Sequence, residues 1–216
     1  IKPPMDTMGH NAKPIAASFR FAILLGGALV FALAPGAAPL RAGIADLGYP
    51  SALLGQDVPI KVYTPPGYDD PAEAGRRYPV VYNFHGGGGS PARQWDRTRA
   101  TLTDAIENDR VRPVIYVFVN GLGNTEFVNT AAGQPIERSI VTELIPFIDA
   151  RFRTVADRTG RAVDGFSMGG FGCLSVAFRN PDLFCAAVGY GAAMSITAQG
   201  RNYRDEAHFA EHDPHA

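Results

Sequence analysis

Cysteine is nearly absent: Cys173 and Cys185 are the only two in 216 residues. Two thiols cannot build the disulfide scaffold of a small secreted domain. With no histidine clustered beside them, they give no zinc-ligand pattern either. They read either as free thiols buried like small hydrophobes or as one disulfide, and spacing alone does not decide. Neither is placed as a nucleophile, since Cys173 falls within a helical pattern and Cys185 at the start of a strand pattern. An excess of positive charge is also missing. Twenty Lys and Arg face 21 Asp and Glu, a net charge of −1. Without a basic stripe or interleaved basic and aromatic residues, nothing points to a nucleic-acid partner. Internal repeats and a linker long enough to divide the chain are absent as well, so one globular domain is expected. Hydrophobic residues at 46% and charged residues at 19% suit a packed core and exclude a disordered chain.

A membrane-spanning run is lacking. The uncharged stretch FAILLGGALVFALA, residues 21–34, is shorter than the ~20 residues that a spanning helix needs. Lys13 and Arg20 precede it and the small-residue stretch PGAAPLRAG follows. That order is a secretory signal peptide, with cleavage expected after Ala38 or Ala42. The alternative is an uncleaved membrane anchor. No Cys stands at the exit to carry a lipid, and no Arg-Arg pair precedes the run. Residues 1–42 are therefore read as signal peptide and upstream residues, 43–216 as the folded domain, and the location as secreted or periplasmic, with no stable membrane insertion after cleavage.

Beyond residue 42, strand patterns alternate with helix patterns. Strands are expected at 57–68, at 80–84 before a glycine loop, at 114–119, at 159–166 and at 183–193. Helices are expected at 98–109, 135–152 and 169–181, with Pro146 kinking or splitting the second. Short apolar runs alternating with helices predict an α/β fold with a mostly parallel, doubly wound sheet. In such sheets, sites lie beyond the carboxyl ends of the strands. Two chemistry-bearing loops fall there. One is HGGGG, residues 85–89; the other is DGFSMGG, residues 164–170.

Gly165 and Gly169 flank Ser167 at the spacing G-x-S-x-G. A strand that runs into a helix through this sequence makes a sharp turn and lifts the serine above the sheet. The turn also aims the Met168 amide, at the helix N-terminus, toward a substrate oxygen. A second donor for an oxyanion would come from Gly86 or Gly87, because glycine lets main-chain N–H groups approach a ligand closely. Ser167 is thus the candidate nucleophile, against the plainer reading of a helix-capping serine. His85 is read either as a substrate contact or as a brace for the glycine loop. Trp95 is read either as a stacking surface for substrate or as a packed loop aromatic.

The blocks VYTPPGY, YPVVYNFHGGGGS, ELIPFIDARFRT, DGFSMGGFGCLSVAFRNPDLF and VGYGAA resemble the esterase D-like branch of the α/β-hydrolases, which includes tributyrin-type and feruloyl esterases and secreted mycolyltransferases. The resemblance covers residues ~57–195, in family order. It implies Ser167 as nucleophile, Met168 and the Gly86–Gly87 loop as oxyanion donors, and no metal or organic cofactor. It implies a secreted serine carboxylesterase acting on an acyl or aryl ester, either a small molecule or linked to a glycan. An acyltransferase on the same scaffold and a non-catalytic glycan- or partner-binding fragment are the alternatives. The sequence departs from the pattern at Asp164, where a small apolar residue is usual. There a carboxylate needs either a hydrogen-bond donor or a raised pKa. The family order places the triad acid and then the histidine after the nucleophile. The residues after Ala193 offer Asp205, Asp213, His208, His212 and His215 in a polar stretch without a strand pattern. The expectation is therefore a sheet incomplete at its C-terminal side, with the triad partners beyond Ala216 and weak activity in this chain alone.

Overall fold

The computed structural model describes residues 43–130 and 133–192. The expected signal peptide and the late Asp and His candidates lie outside the described residues. Six strands form one sheet in the order β1-β2-β4-β3-β5-β6. They are β1 (Gly43–Ser51), β2 (Gln56–Thr64), β3 (Val80–Phe84), β4 (Ile115–Val119), β5 (Arg161–Phe166) and β6 (Ala186–Tyr190). β1 pairs antiparallel with β2, and β2 antiparallel with β4. From β4 through β3 and β5 to β6 every pairing is parallel. The expected α/β class is present. Strand β1 is an addition that the sequence pattern did not offer: GIADLGYPS carries two glycines, an aspartate and a proline, all poor strand formers. Pairing with the more buried β2 along its whole length overrides that preference.

Alternation along the strands divides the core. Tyr82, Phe84, Val117, Val119 and Val163 point into the main cluster, which also takes in Ile136, Ile140, Leu144, Ile148, Cys173 and Val176 from the helices. Phe118 and Val114 point to the opposite face, where Leu102 and Ile106 cover them. Those two belong to helix α1 (Pro91–Glu107), which begins seven residues before the expected 98. The reason is a local cap. Ser90 Oγ accepts from the Arg93 amide at 3.3 Å and Pro91 takes the first helical position.

The segment around Pro146 neither kinks apart nor stops. Helix α2 (Ile136–Ser139) passes through a π turn (Ile140–Leu144) into α3 (Ile145–Arg151). The Ile145 amide reaches back to the Ile140 carbonyl. The widened turn immediately precedes a residue that has no N–H to give and whose ring would clash in a regular helix. Helix α4 (Met168–Arg179) follows β5 directly and ends where its Asn180 amide caps onto Val176 O. Cys173 is buried in α4 and Cys185 is exposed ahead of β6; the two are free thiols, which closes the disulfide alternative. Burial pushes the Cys173 thiol pKa up to about 12, so it stays protonated and inert.

Candidate active site

The β5–α4 junction builds the first part of the site. Ser167 has φ 53° and ψ −113°, a left-handed conformation that a side chain rarely adopts. Its amide donates to Tyr190 O on β6 at 2.9 Å, and its carbonyl accepts from Phe171 at 3.0 Å. The two flanking glycines are required by space. A Cβ on Gly165 would lie 2.2 Å from Gly169 O, and one on Gly169 would lie 2.1 Å from Phe84 O. The first turn of α4 is therefore pressed onto the ends of β5 and β3 with no room for a methyl group. Ser167 itself stays partly exposed at the apex. The Met168 amide opens α4 and is among the N–H groups that a helix leaves without an intrahelical acceptor.

The glycine loop after β3 is the second part. Gly89 N–H donates to Gly86 O at 2.9 Å, closing a turn in which Gly88 has φ 65°. His85 is 1% exposed, and main-chain groups occupy both ring nitrogens. The Gly121 amide donates to Nε2 at 3.1 Å, so Nε2 is unprotonated and Nδ1 carries the proton. That Nδ1–H donates to Gly86 O at 2.9 Å. Burial lowers the histidine pKa, and the bond to Gly86 O opposes this only in part, so the neutral ring is the stable form. His85 therefore braces the loop and has no nitrogen left for substrate. The Gly86 carbonyl is held by two donors. In a trans peptide the Gly87 N–H points the opposite way, out of the turn. Gly86 itself packs on Phe166, whose ring would stand 3.1 Å from an added Cβ.

Trp95 lies one turn into α1. Its ring stacks on Tyr63 at 5.6 Å and meets Phe118 edge-on at 5.7 Å. It is partly buried against the small cluster beneath α1, the contacts of the packed aromatic that was one of its two readings.

Beneath the elbow, Asp164 is 8% exposed and faces its register partner Asn83. Asn83 Nδ2 donates to Oδ1 at 2.7 Å, and the Tyr116 hydroxyl donates to Oδ2. Burial raises the Asp164 pKa, while these two hydrogen bonds partly counter it. Both answers expected for a carboxylate at this position, donors and a raised pKa, are present together. Among the described residues no imidazole is bonded to Asp164. Among the described residues His85 is the only histidine, and no group of His, Cys, Asp and Glu is arranged to hold a metal ion. Sequence reasoning missed Asn124, whose Oδ1 accepts from the Gly88 amide at 2.9 Å. No motif announces it, because it reaches the glycine loop from the loop after β4.

Residues 51–215 match the family model described as "Putative esterase". Esterase MT1326 of Mycobacterium tuberculosis is 31% identical over 153 residues, which cover 68% of this chain and 32% of that protein. The endo-1,4-beta-xylanase/feruloyl esterase of Xylanibacter ruminicola is 34% identical over 129 residues, covering 57% of this chain and 18% of the relative. The chain thus spans about a third or less of the curated relatives it matches. Among solved structures, a ferulic acid esterase superposes with a TM-score of 0.65 at 27% identity, over 71% of this chain and 61% of the other. The parallel sheet, the serine elbow and these matches agree on an α/β-hydrolase fold, and the chain belongs to the esterase family.

Proposed function

We propose that the protein hydrolyses carboxylic esters through an acyl-enzyme on Ser167. The observation that carries this is the strained apex: a partly exposed serine at φ 53°, held by glycines that tolerate no side chain. Strain of this kind persists only where surrounding structure enforces it, and it clusters at reactive sites. Ser167 Oγ attacks the ester carbonyl carbon and gives its proton to a base that is not among the described residues. The carbonyl oxygen becomes an oxyanion, received by the Met168 and Gly87 N–H groups. The C–O bond to the alcohol then breaks, and the alcohol leaves with the proton. Water attacks the acyl-serine, releases the acid and restores the hydroxyl. A substrate with an acyl or aryl ester group, carried on a small molecule or a glycan, is supported by the similarity to ferulic acid and feruloyl esterases. Export is proposed from the basic start and the apolar run 21–34 alone.

The test is covalent labelling of the full chain by a fluorophosphonate, read by intact mass and peptide mapping. One adduct on Ser167, lost in Ser167→Ala, is expected. A wild-type chain that takes no label, or takes it equally after Ser167→Ala, overturns the reading.

A further inference from the structure

The loop after β4 is the most distorted stretch of the described chain. Leu122, Glu126 and Phe127 all have positive φ, at 53°, 58° and 61°, without being glycine. Local bonds hold these conformations. Leu122 N–H donates to Asn120 Oδ1 at 2.9 Å, Thr125 Oγ1 to Gly121 O at 2.6 Å, and Phe127 N–H to Thr125 Oγ1 at 3.3 Å. Phe127 is fully buried, stacked on Phe84 at 4.2 Å and edge-on to His85 at 5.1 Å. Strain at three residues of one loop is costly and needs a strong anchor. The anchor here is an aromatic ring driven into the core directly beneath the glycine loop.

What this platform presents is Asn124. It is exposed, yet its side chain is not idle. The group facing the Gly88 amide must be an acceptor, so Oδ1 is turned toward the glycine loop and Nδ2 away from it. A Cβ on Gly87 would lie 3.5 Å from Oδ1, so Asn124 sits over the Gly87–Gly88 peptide. Asn124 is thereby one of the side chains that pin the glycine loop. His85 holds the Gly86 carbonyl from below, and Asn124 holds the Gly88 amide from the neighbouring loop. Gly87 lies between the pins. A run of four glycines has more backbone freedom than any other sequence, and here these pins, the Gly89–Gly86 turn bond and the Arg93 guanidinium on Gly88 O at 3.1 Å limit it.

We infer that Asn124 is a positioning residue for the oxyanion donor: by fixing the Gly87–Gly88 peptide it limits rotation about Gly87, so that the adjoining Gly86–Gly87 peptide, which carries the Gly87 N–H, is aimed before substrate arrives. The inference rests on the proposed acyl-serine reaction, in which a donor misplaced by about 1 Å costs up to about a hundredfold in rate. Because Asn124 is exposed and caps no core element, removing its side chain leaves the fold intact.

Two readouts on the full chain separate this inference from the reaction it serves. The first is amide hydrogen exchange of the peptide covering residues 85–90, which needs no activity. Asn124→Ala should exchange about tenfold faster there, with melting temperature unchanged, since only a local opening becomes easier. Asn124→Asp keeps an acceptor at the same reach and should restore protection. The second is the rate of fluorophosphonate labelling at Ser167. It should fall about tenfold or more in Asn124→Ala at unchanged stability. Asn124→Asp should recover protection but not the rate, because a carboxylate beside the developing oxyanion repels it. Unchanged exchange in Asn124→Ala overturns the clamp whatever the labelling does. Faster exchange with an unchanged labelling rate overturns its role in positioning. A wild type that never labels overturns the proposed reaction and leaves the exchange result to judge the clamp.

Discussion

Two carboxylates in this molecule each accept several hydrogen bonds, and their pKa values move in opposite directions. Asp164 lies under the serine elbow with Asn83 and Tyr116 as donors. Glu143 lies in the π turn and ties the β1–β2 hairpin to the helix. Its Oε2 accepts from Ser51 at 2.5 Å and Ser139 at 3.0 Å, and its Oε1 from the Leu53 amide at 3.1 Å. Ser139 also contacts the Tyr49 hydroxyl at 2.9 Å. For Asp164, burial dominates and raises the pKa despite two donors. For Glu143, burial is again the largest single influence and pushes upward, but the bonds from Ser51, Leu53, Ser139 and Ala52 together carry the pKa below its usual value. The balance of dehydration against donors therefore sets the sign at each site.

Breaking the Asp164 cluster should give the largest effect. Asp164→Ala leaves a buried amide and a largely buried phenol without their acceptor and should cost about 3 kcal/mol. A urea melt checks it, and a loss well under half of that would show that solvent reaches these groups. The corresponding cut at the hairpin is Ser51→Ala, expected to cost about 1 kcal/mol in the same melt, because Glu143 keeps its other donors and is nearer to water. A larger loss than for Asp164→Ala would reverse the comparison.

The subtlest difference is in pH. Asp164, with its raised pKa, binds its proton more tightly in the folded chain. Its contribution is full below the unfolded carboxyl value of about 4 and is lost as pH rises through the folded value. Glu143, with its lowered pKa, contributes above the unfolded value of about 4.3, and that contribution is lost as pH falls through the folded one. Denaturant midpoints from pH 3 to 8 should show Glu143→Gln flattening the acid limb and Asp164→Asn removing a decline on the rising side. Identical slopes in wild type and both variants would remove the distinction.

The apolar half of this architecture was legible. Val80–Phe84, the 114–119 run and the serine elbow have patterns dense enough to fix their type and nearly their ends. What escaped depends on partners remote in sequence. Strand β1 exists because β2 offers it an edge. The start of α1 turns on one capping serine. Trp95 reads two ways, as a stacking surface or a packed aromatic, until Tyr63 and Phe118 are brought against it. Asp164 was visible as an anomaly in the motif, but its donors come from two other strands. Asn124 carries no motif, and its role appears only when two loops are brought side by side.

The π turn has a consequence for how the helix keeps step with the sheet. Ile136, Ile140, Leu144, Ile148 and Phe152 recur every four residues, and all are buried in one cluster. In a regular α-helix, at about 100° per residue, a strict spacing of four advances by about 40° each time. Over the helical part of this series, Ile136 to Ile148, the row would wander by about 120°, away from the sheet. A wider turn advances less per residue and takes back part of that rotation. The extra residue thus acts as a phase correction. It keeps a four-residue rhythm in time with one flat neighbour, and a period of four in place of 3.6 is its mark in the sequence.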